Sequence, residues 1–303
     1  MATQSKAQFL TDVFTLLKRR YKLKGDRGSA RLSILKAVVY GICHEDTTRE
    51  NANQALSRFK DEFFDWNEVR VSGVEEIRDS LAGIPDPEDR ARRIRKFLRQ
   101  LFNRTYGFNL DALTKKPLKE ALKVLQGYEA FSSDYVMATV IQQALGGHAI
   151  PVDKDSQRAL ARLGISESTI PELRAVLERA VPKNRGADFL DLIEDLANDT
   201  CVAGEPDCPR CELRKICPYA QARKQQDAAD AKAARSRAAH EKDKDKDKDK
   251  DRDREKESHP AVKPTRAVAT AAEPPAAARK TSARTAKEAD PAPKAARGKP
   301  GVK

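Results

Sequence analysis

Four of the chain's five cysteines fall within one short stretch, Cys201, Cys208, Cys211 and Cys217, spaced C-x6-C-x2-C-x5-C. Any fold of this chain must bring these four thiols together, because thiolates so close in sequence hold a metal. Thiolate ligands suit both zinc and iron–sulfur clusters. Four-cysteine zinc sites are built from two short C-x2-4-C pairs separated by a loop. Here only Cys208 and Cys211 form such a pair. The other two arrive singly and at unequal distances, which fits the spread irons of a [4Fe–4S] cluster held by all four. Zinc, unrelated structural thiols and two disulfides are the alternatives at this level, and a reducing compartment disfavours the disulfides.

The chain has 303 residues and a formal net charge of +12. Residues 221–303 contain no Trp, Phe, Tyr, Leu or Ile, so they cannot form a core. This tail holds 23 of the 58 Lys and Arg and 14 of the 46 Asp and Glu, so most of the positive excess lies outside the globular part. Within it, residues 241–255 alternate acid and base, and the stretch from Ala261 mixes Ala, Pro, Lys and Arg with few acids. The composition predicts a disordered extension that either solubilises the chain or attracts nucleic acid non-specifically. No apolar run is long enough to span a bilayer and the N-terminus lacks a signal-peptide pattern, so the expectation is a cytoplasmic, monomeric protein without membrane contact. Cys43 lies in an apolar helical run and reads as a buried small hydrophobe.

Apolar residues recur at helical spacing along most of the remainder. Helices are expected over 7–22, 29–43, from Arg49, and from a capping box at Ser72 to Glu75. Another starts at Asp86-Pro87-Glu88 and presents an apolar face opposite Arg90, Arg92, Arg93, Arg95, Lys96 and Arg99. Further helices follow over 118–125 and 132–145, through Leu160 and Leu163, and over 170–181 and 189–196. Alternating strand patterns are missing, so the class is all-α. The boundaries expected are an N-terminal helix (1–27), a helical domain (28–200), a cysteine loop (201–218) and a tail (219–303).

A C-x6-C-x2-C-x5-C loop closing a helical domain of this size resembles the endonuclease III and adenine-glycosylase group of helix-hairpin-helix DNA glycosylases. The resemblance covers residues 28–220. It implies a two-lobed helical fold ending in a [4Fe–4S] loop, double-stranded DNA as partner, and a bacterial, nucleoid-associated setting. The segment Ala144 to Asp153 is similar to the family segment that delivers a catalytic aspartate, which makes Asp153 the candidate carboxylate; on its own the residue reads as the N-cap of the next helix. Counting back without gaps places Tyr135 where bifunctional members carry a Schiff-base lysine, so the resemblance implies base removal without lyase chemistry.

The same register sets Glu129-Ala130-Phe131-Ser132-Ser133 against the family's Leu-Pro-Gly-Val-Gly hairpin. Both glycines are missing, and side chains there are expected to obstruct a DNA phosphate. The turn Glu45-Asp46-Thr47-Thr48 resembles the family segment that enters the gap left by a flipped base, although its acids would be repelled by phosphate. Glu45, Asp46, Thr47, Ser132, Ser133 and Arg214 are thus the candidate DNA contacts, with Arg210 and Lys215 near Arg214. His44 and His148 have no second ligand at metal spacing. The function implied is hydrolysis of the N-glycosidic bond of a damaged or mismatched base in base-excision repair. A non-enzymatic DNA-binding or scaffold protein that kept fold and cluster is the alternative.

Overall fold

The computed structural model of the chain describes residues 5–23 and 31–257, with side chains as far as 237. Among the described residues there are twelve α-helices and no strand. None of these helices is long and apolar enough to cross a membrane. The chain divides after Ala239 into two units, and the first holds both hydrophobic cores.

The first core is built by α2 (Ile34–His44), α3 (Arg49–Glu62), α4 (Trp66–Val71), α5 (Val74–Ser80), α6 (Pro87–Thr105), α7 (Leu118–Leu125) and α8 (Asp134–Gln143). Val38, Ile42, Phe59, Ile94, Phe97, Leu98, Val136 and Val140 meet there, removed from water. The helix α2 is apolar almost all round and runs through the middle. A Cβ on Gly41 would stand 3.3 Å from the Val136 Cα, so a glycine lets α2 and α8 approach this closely.

The second core is discontinuous in sequence. It comprises α1 (Lys6–Arg20), α9 (Lys154–Arg162), α10 (Ile170–Ala180), α11 (Gly186–Asp199) and the cysteine loop. Leu10, Val13, Phe14 and Leu17 of α1 pack with Leu160, Leu173, Leu177, Phe189 and Leu192. The end of α1 is tied to the end of α11, where Arg20 and Tyr21 donate to Asp199 at 2.7 and 2.9 Å. The N-terminal helix is therefore part of this lobe.

Helix starts follow local chemistry. Ser33, Thr48, Asp65, Ser133, Asp153 and Thr169 each accept the N–H three residues on, a contact worth about 1 kcal/mol per cap. Two starts differ from expectation. The capping box moves one residue along, with the Gly73 N–H donating to Glu76 at 3.2 Å. Asp86 adopts a left-handed conformation (φ 48°) and makes no side-chain cap, so Pro87 alone marks the beginning of α6.

The basic face of α6 also differs from a free, solvated stripe. Arg90 is buried and donates to the carbonyls of Pro85, Ile42 and Glu45, while Arg92, Arg93 and Lys96 pair with Glu88, Glu45 and Glu129.

The tail, expected to lack structure from 219, begins as a helix, α12 (Pro218–Glu257). Alanine, lysine, arginine and glutamine carry high helix propensity without needing a core. Composition had ruled out the core, not the helix: apart from Arg223, every residue from Gln221 to Arg237 is exposed. Residues 258–303 lie outside the described residues.

Candidate functional site

Asp153 caps α9 where the two lobes meet. Its Oδ1 accepts the Ser156 N–H at 2.8 Å and the residue is only 7% exposed. Burial pushes the carboxyl above its ordinary value, the Ser156 hydrogen bonds pull it down, and nearby Glu194 pushes it up again. Both readings of Asp153 are thus realised at once: it is a helix cap, and it is a carboxylate largely withdrawn from water.

Across the junction stands Tyr135 of α8, 4% exposed. Its hydroxyl lies 2.8 Å from His44 Nδ1, at the last residue of α2. The other ring nitrogen of His44 lies 3.6 Å from Glu194 Oε2 on α11, and Arg49 of α3 donates to the same oxygen at 3.0 Å and also pairs with Asp191. Burial opposes ionisation of Glu194, yet His44 and Arg49 together hold its carboxyl below the ordinary value. Burial, with Glu194 and Asp153 close by, raises the Tyr135 phenol well above its usual range. Tyr135 is therefore a neutral phenol in a buried polar chain contributed by α2, α3, α8 and α11.

The turn between α2 and α3 runs along the same junction. Glu45 accepts from the Ser133 hydroxyl at 2.6 Å and pairs with Arg93 at 2.8 Å. Asp46, left-handed at φ 55°, accepts the Lys154 N–H at 3.1 Å and its ammonium at 2.6 Å. Thr47 accepts from Asn51 at 3.3 Å. The acids expected to repel phosphate are thus matched by Arg93 and Lys154. In the Glu129–Ser132 turn, Ala130 and Phe131 face inward, Phe131 against Phe97 at 6.4 Å between ring centroids. Those two side chains do not stand in the way of a phosphate as expected. Ser132 is exposed, and Ser133 caps α8.

The four cysteines line one pocket together with Arg162, Leu196, Thr200, Leu213 and Tyr219. Burial raises the Cys208 thiol, and the other three cysteines raise it further, which reflects how near they are. Among the described residues, no group of three or more His, Cys, Asp or Glu side chains closes around a single metal ion. The donor set fits a soft, thiolate-bound group spread over the pocket wall. Helix α9 holds this loop from its far end. Arg158 donates to the carbonyls of Cys201 and Ala197 at 3.2 and 3.0 Å. Arg162 donates to the Val202 carbonyl at 2.7 Å, reaches Cys201 Sγ at 3.4 Å and lies over the Tyr219 ring. Arg210, Arg214 and Lys215 are exposed on the loop's surface, Arg214 bonded to the Pro209 carbonyl at 2.6 Å.

No family model matches the chain. An endonuclease III from Synechocystis sp. is 23% identical over 224 residues, which span 72% of this chain and 95% of that protein. The structure superposes on a non-covalent endonuclease III–DNA complex with a TM-score of 0.58 at 17% identity, over 73% of this chain and all of that one. A thermostable thymine-DNA glycosylase superposes with a TM-score of 0.53 at 20% identity, over 73% of this chain and 99% of that one. This chain is thus similar to endonuclease III in sequence and shares the fold of these two structures.

Within the endonuclease III-like fold, Asp153 and Tyr135 lie near each other at the lobe junction, and the four cysteines line one pocket. Ser133 and Glu45 also meet, whereas Arg214 belongs to the cysteine loop. His44, Glu194 and Arg49 were missed as site residues. Their only sequence trace is a polar His44 closing an apolar helix and two acids, Asp191 and Glu194, on the buried side of α11.

Proposed function

We propose that this endonuclease III-like chain is a DNA glycosylase of base-excision repair that removes a damaged or mismatched base by hydrolysis. The observation that carries the reading is the buried Asp153 carboxylate held beside Tyr135 where the lobes meet. A base must leave the stack to reach such a site. Breaking its bond to the sugar then develops positive charge on the sugar ring. A carboxylate fixed by the Ser156 N–H and shielded from water stabilises that charge without reorganising, and can orient the attacking water.

The reaction runs without a Schiff base. A neutral phenol whose hydroxyl is engaged by His44 offers no amine, so cleavage of the strand by elimination is not expected. Thr47, Ser132, Ser133 and the loop cations Arg210, Arg214 and Lys215 are proposed to contact the DNA, with Glu45 and Asp46 neutralised at its edge. Cys201, Cys208, Cys211 and Cys217 would hold a [4Fe–4S] cluster, whose iron–thiolate bonds would tie the loop to the helical body.

The test is a panel of duplexes carrying uracil, thymine mismatches, oxidised pyrimidines, or adenine opposite oxidised guanine. Excision of at least one base, without borohydride-trapped adduct, is expected. Retained DNA binding with no excision on the panel would identify a non-catalytic DNA-binding protein instead, and a trapped adduct would overturn the monofunctional assignment.

A further inference from the structure

Tyr135 is fixed by a histidine that reaches it from another helix. His44 is 3% exposed, its ring centroid 5.9 Å from that of Tyr135 and 5.0 Å from that of Tyr40. On one side its Nδ1 meets the Tyr135 hydroxyl at 2.8 Å, and on the other its Nε2 faces Glu194 at 3.6 Å. Glu194 takes Arg49 on the same oxygen. A carboxylate only accepts, so in the neutral ring the nitrogen facing Glu194 is the one suited to carry the proton, which leaves Nδ1 to accept from the Tyr135 hydroxyl. Arg49, Glu194 and His44 thus stand in line behind the phenol, with Glu194 as the acceptor. Tyr135 stands on α8, while Glu194 lies on α11 and Asp153 caps α9, so this arrangement links the two halves of the site.

From this geometry we infer that His44 is a positioning residue for the reaction: backed by Glu194, it fixes the tilt and hydrogen-bond polarity of Tyr135 against the flipped base. The inference rests on the glycosylase reading above. With its hydroxyl donating to His44, the Tyr135 oxygen presents its lone pairs, which suits a base offering an N–H donor at the edge that meets it.

The test uses the full-length protein on whichever duplex of the panel it excises, with single-turnover rate and DNA dissociation constant measured separately. His44→Leu removes both contacts, whereas His44→Asn keeps an amide at the Nδ1 position. Tyr135→Phe removes only the hydroxyl and preserves the ring. The expected result is a rate loss of roughly 10–100-fold in His44→Leu and Tyr135→Phe, since misplacing a site group by about 1 Å costs about that much. The pair combined should be no slower than either alone, and His44→Asn should recover most of the rate. DNA affinity should stay within about 2-fold in the His44 variants, because His44 meets Tyr135 and not the DNA, so its loss reads in the rate.

Full rate in folded His44→Leu, additive losses in the double variant, or a loss of affinity in place of rate would overturn the inference while leaving the glycosylase reading intact. Should His44→Leu fail to fold, the comparison of His44→Asn with Tyr135→Phe decides: Asn as slow as Phe overturns the inference, and Asn faster than Phe supports it. A wild-type protein that excises nothing defeats both.

Discussion

The cysteine pocket and the Tyr135–Asp153 junction lie at opposite ends of the same helix, the nine-residue α9, and were assembled in opposite ways. The pocket's cysteines come from seventeen consecutive residues, and Arg158 and Arg162 of α9 hold the loop in place. The junction draws His44, Arg49, Tyr135, Asp153 and Glu194 from five separate places in the chain. A site written in one stretch can be read from spacing, while a site gathered across the fold appears only once the helices are packed. The two ends also differ in polarity. One is a soft-ligand pocket whose thiols are destabilised as anions until something cationic joins them, and the other is a buried hydrogen-bonded chain whose charges already compensate each other.

The largest effect should follow from removing a thiol. Cys211→Ser is expected to abolish stoichiometric iron and sulfide in the purified protein and to loosen the second lobe, since a metal group that binds only the folded state contributes its binding energy to folding. Visible absorbance and hydrogen exchange of α9 to α11 would check this. Normal stability with full excision would break the proposed dependence of the lobe on its loop. A cavity in the first core should act differently. Leu98→Ala should cost about 2–5 kcal/mol in denaturant unfolding while leaving iron content unchanged. An equal loss of iron would show that the lobes are not separable in this sense.

How much of this was legible beforehand follows the same division. The helical class, the closeness of the four cysteines and the cap at Asp153 were all visible, because each depends on spacing within one segment. The membership of α1 in the second core was not, since its apolar stripe of Leu10, Val13, Phe14 and Leu17 says that it packs but not on what. Nor was the burial of Arg90, which looked like one more member of a basic face until its hydrogen bonds to Ile42 and Glu45 placed it inside. His44 was set aside as lacking a metal partner, when its partners are a phenol and a carboxylate 91 and 150 residues away. In the tail, composition excluded a core from residue 221 on but left room for the helix that runs to Glu257.

Smaller effects sharpen the contrast along α9 itself. Arg162→Ala should cost about 1–3 kcal/mol, the usual range for leaving buried carbonyls without their donor, and should lower iron retention on dialysis. Unchanged retention would assign the guanidinium a purely packing role. At the opposite end, Lys154→Ala should change stability by no more than about 1 kcal/mol, because its pair with Asp46 is largely solvated. A larger change in melting would mean that the turn at Asp46 depends on this clasp.

The most direct measurement is Asp153→Asn, followed for excision rate and thermal stability together. Asparagine can cap α9 as aspartate does. The folded-state pKa of Asp153 lies above its unfolded value, so its ionisation costs stability as pH rises through that folded value, and removing the charge should leave the melting temperature at neutral pH equal or higher. Excision should fall by about 100- to 1,000-fold, the scale of losing one preorganised electrostatic group. In the wild type, excision should decline on the acid side through a pH above the ordinary carboxylate value, as Asp153 takes up its proton. A variant that melts no earlier and no longer excises is the predicted result; one that excises at the wild-type rate would contradict the assignment of Asp153 as the charge that drives the chemistry.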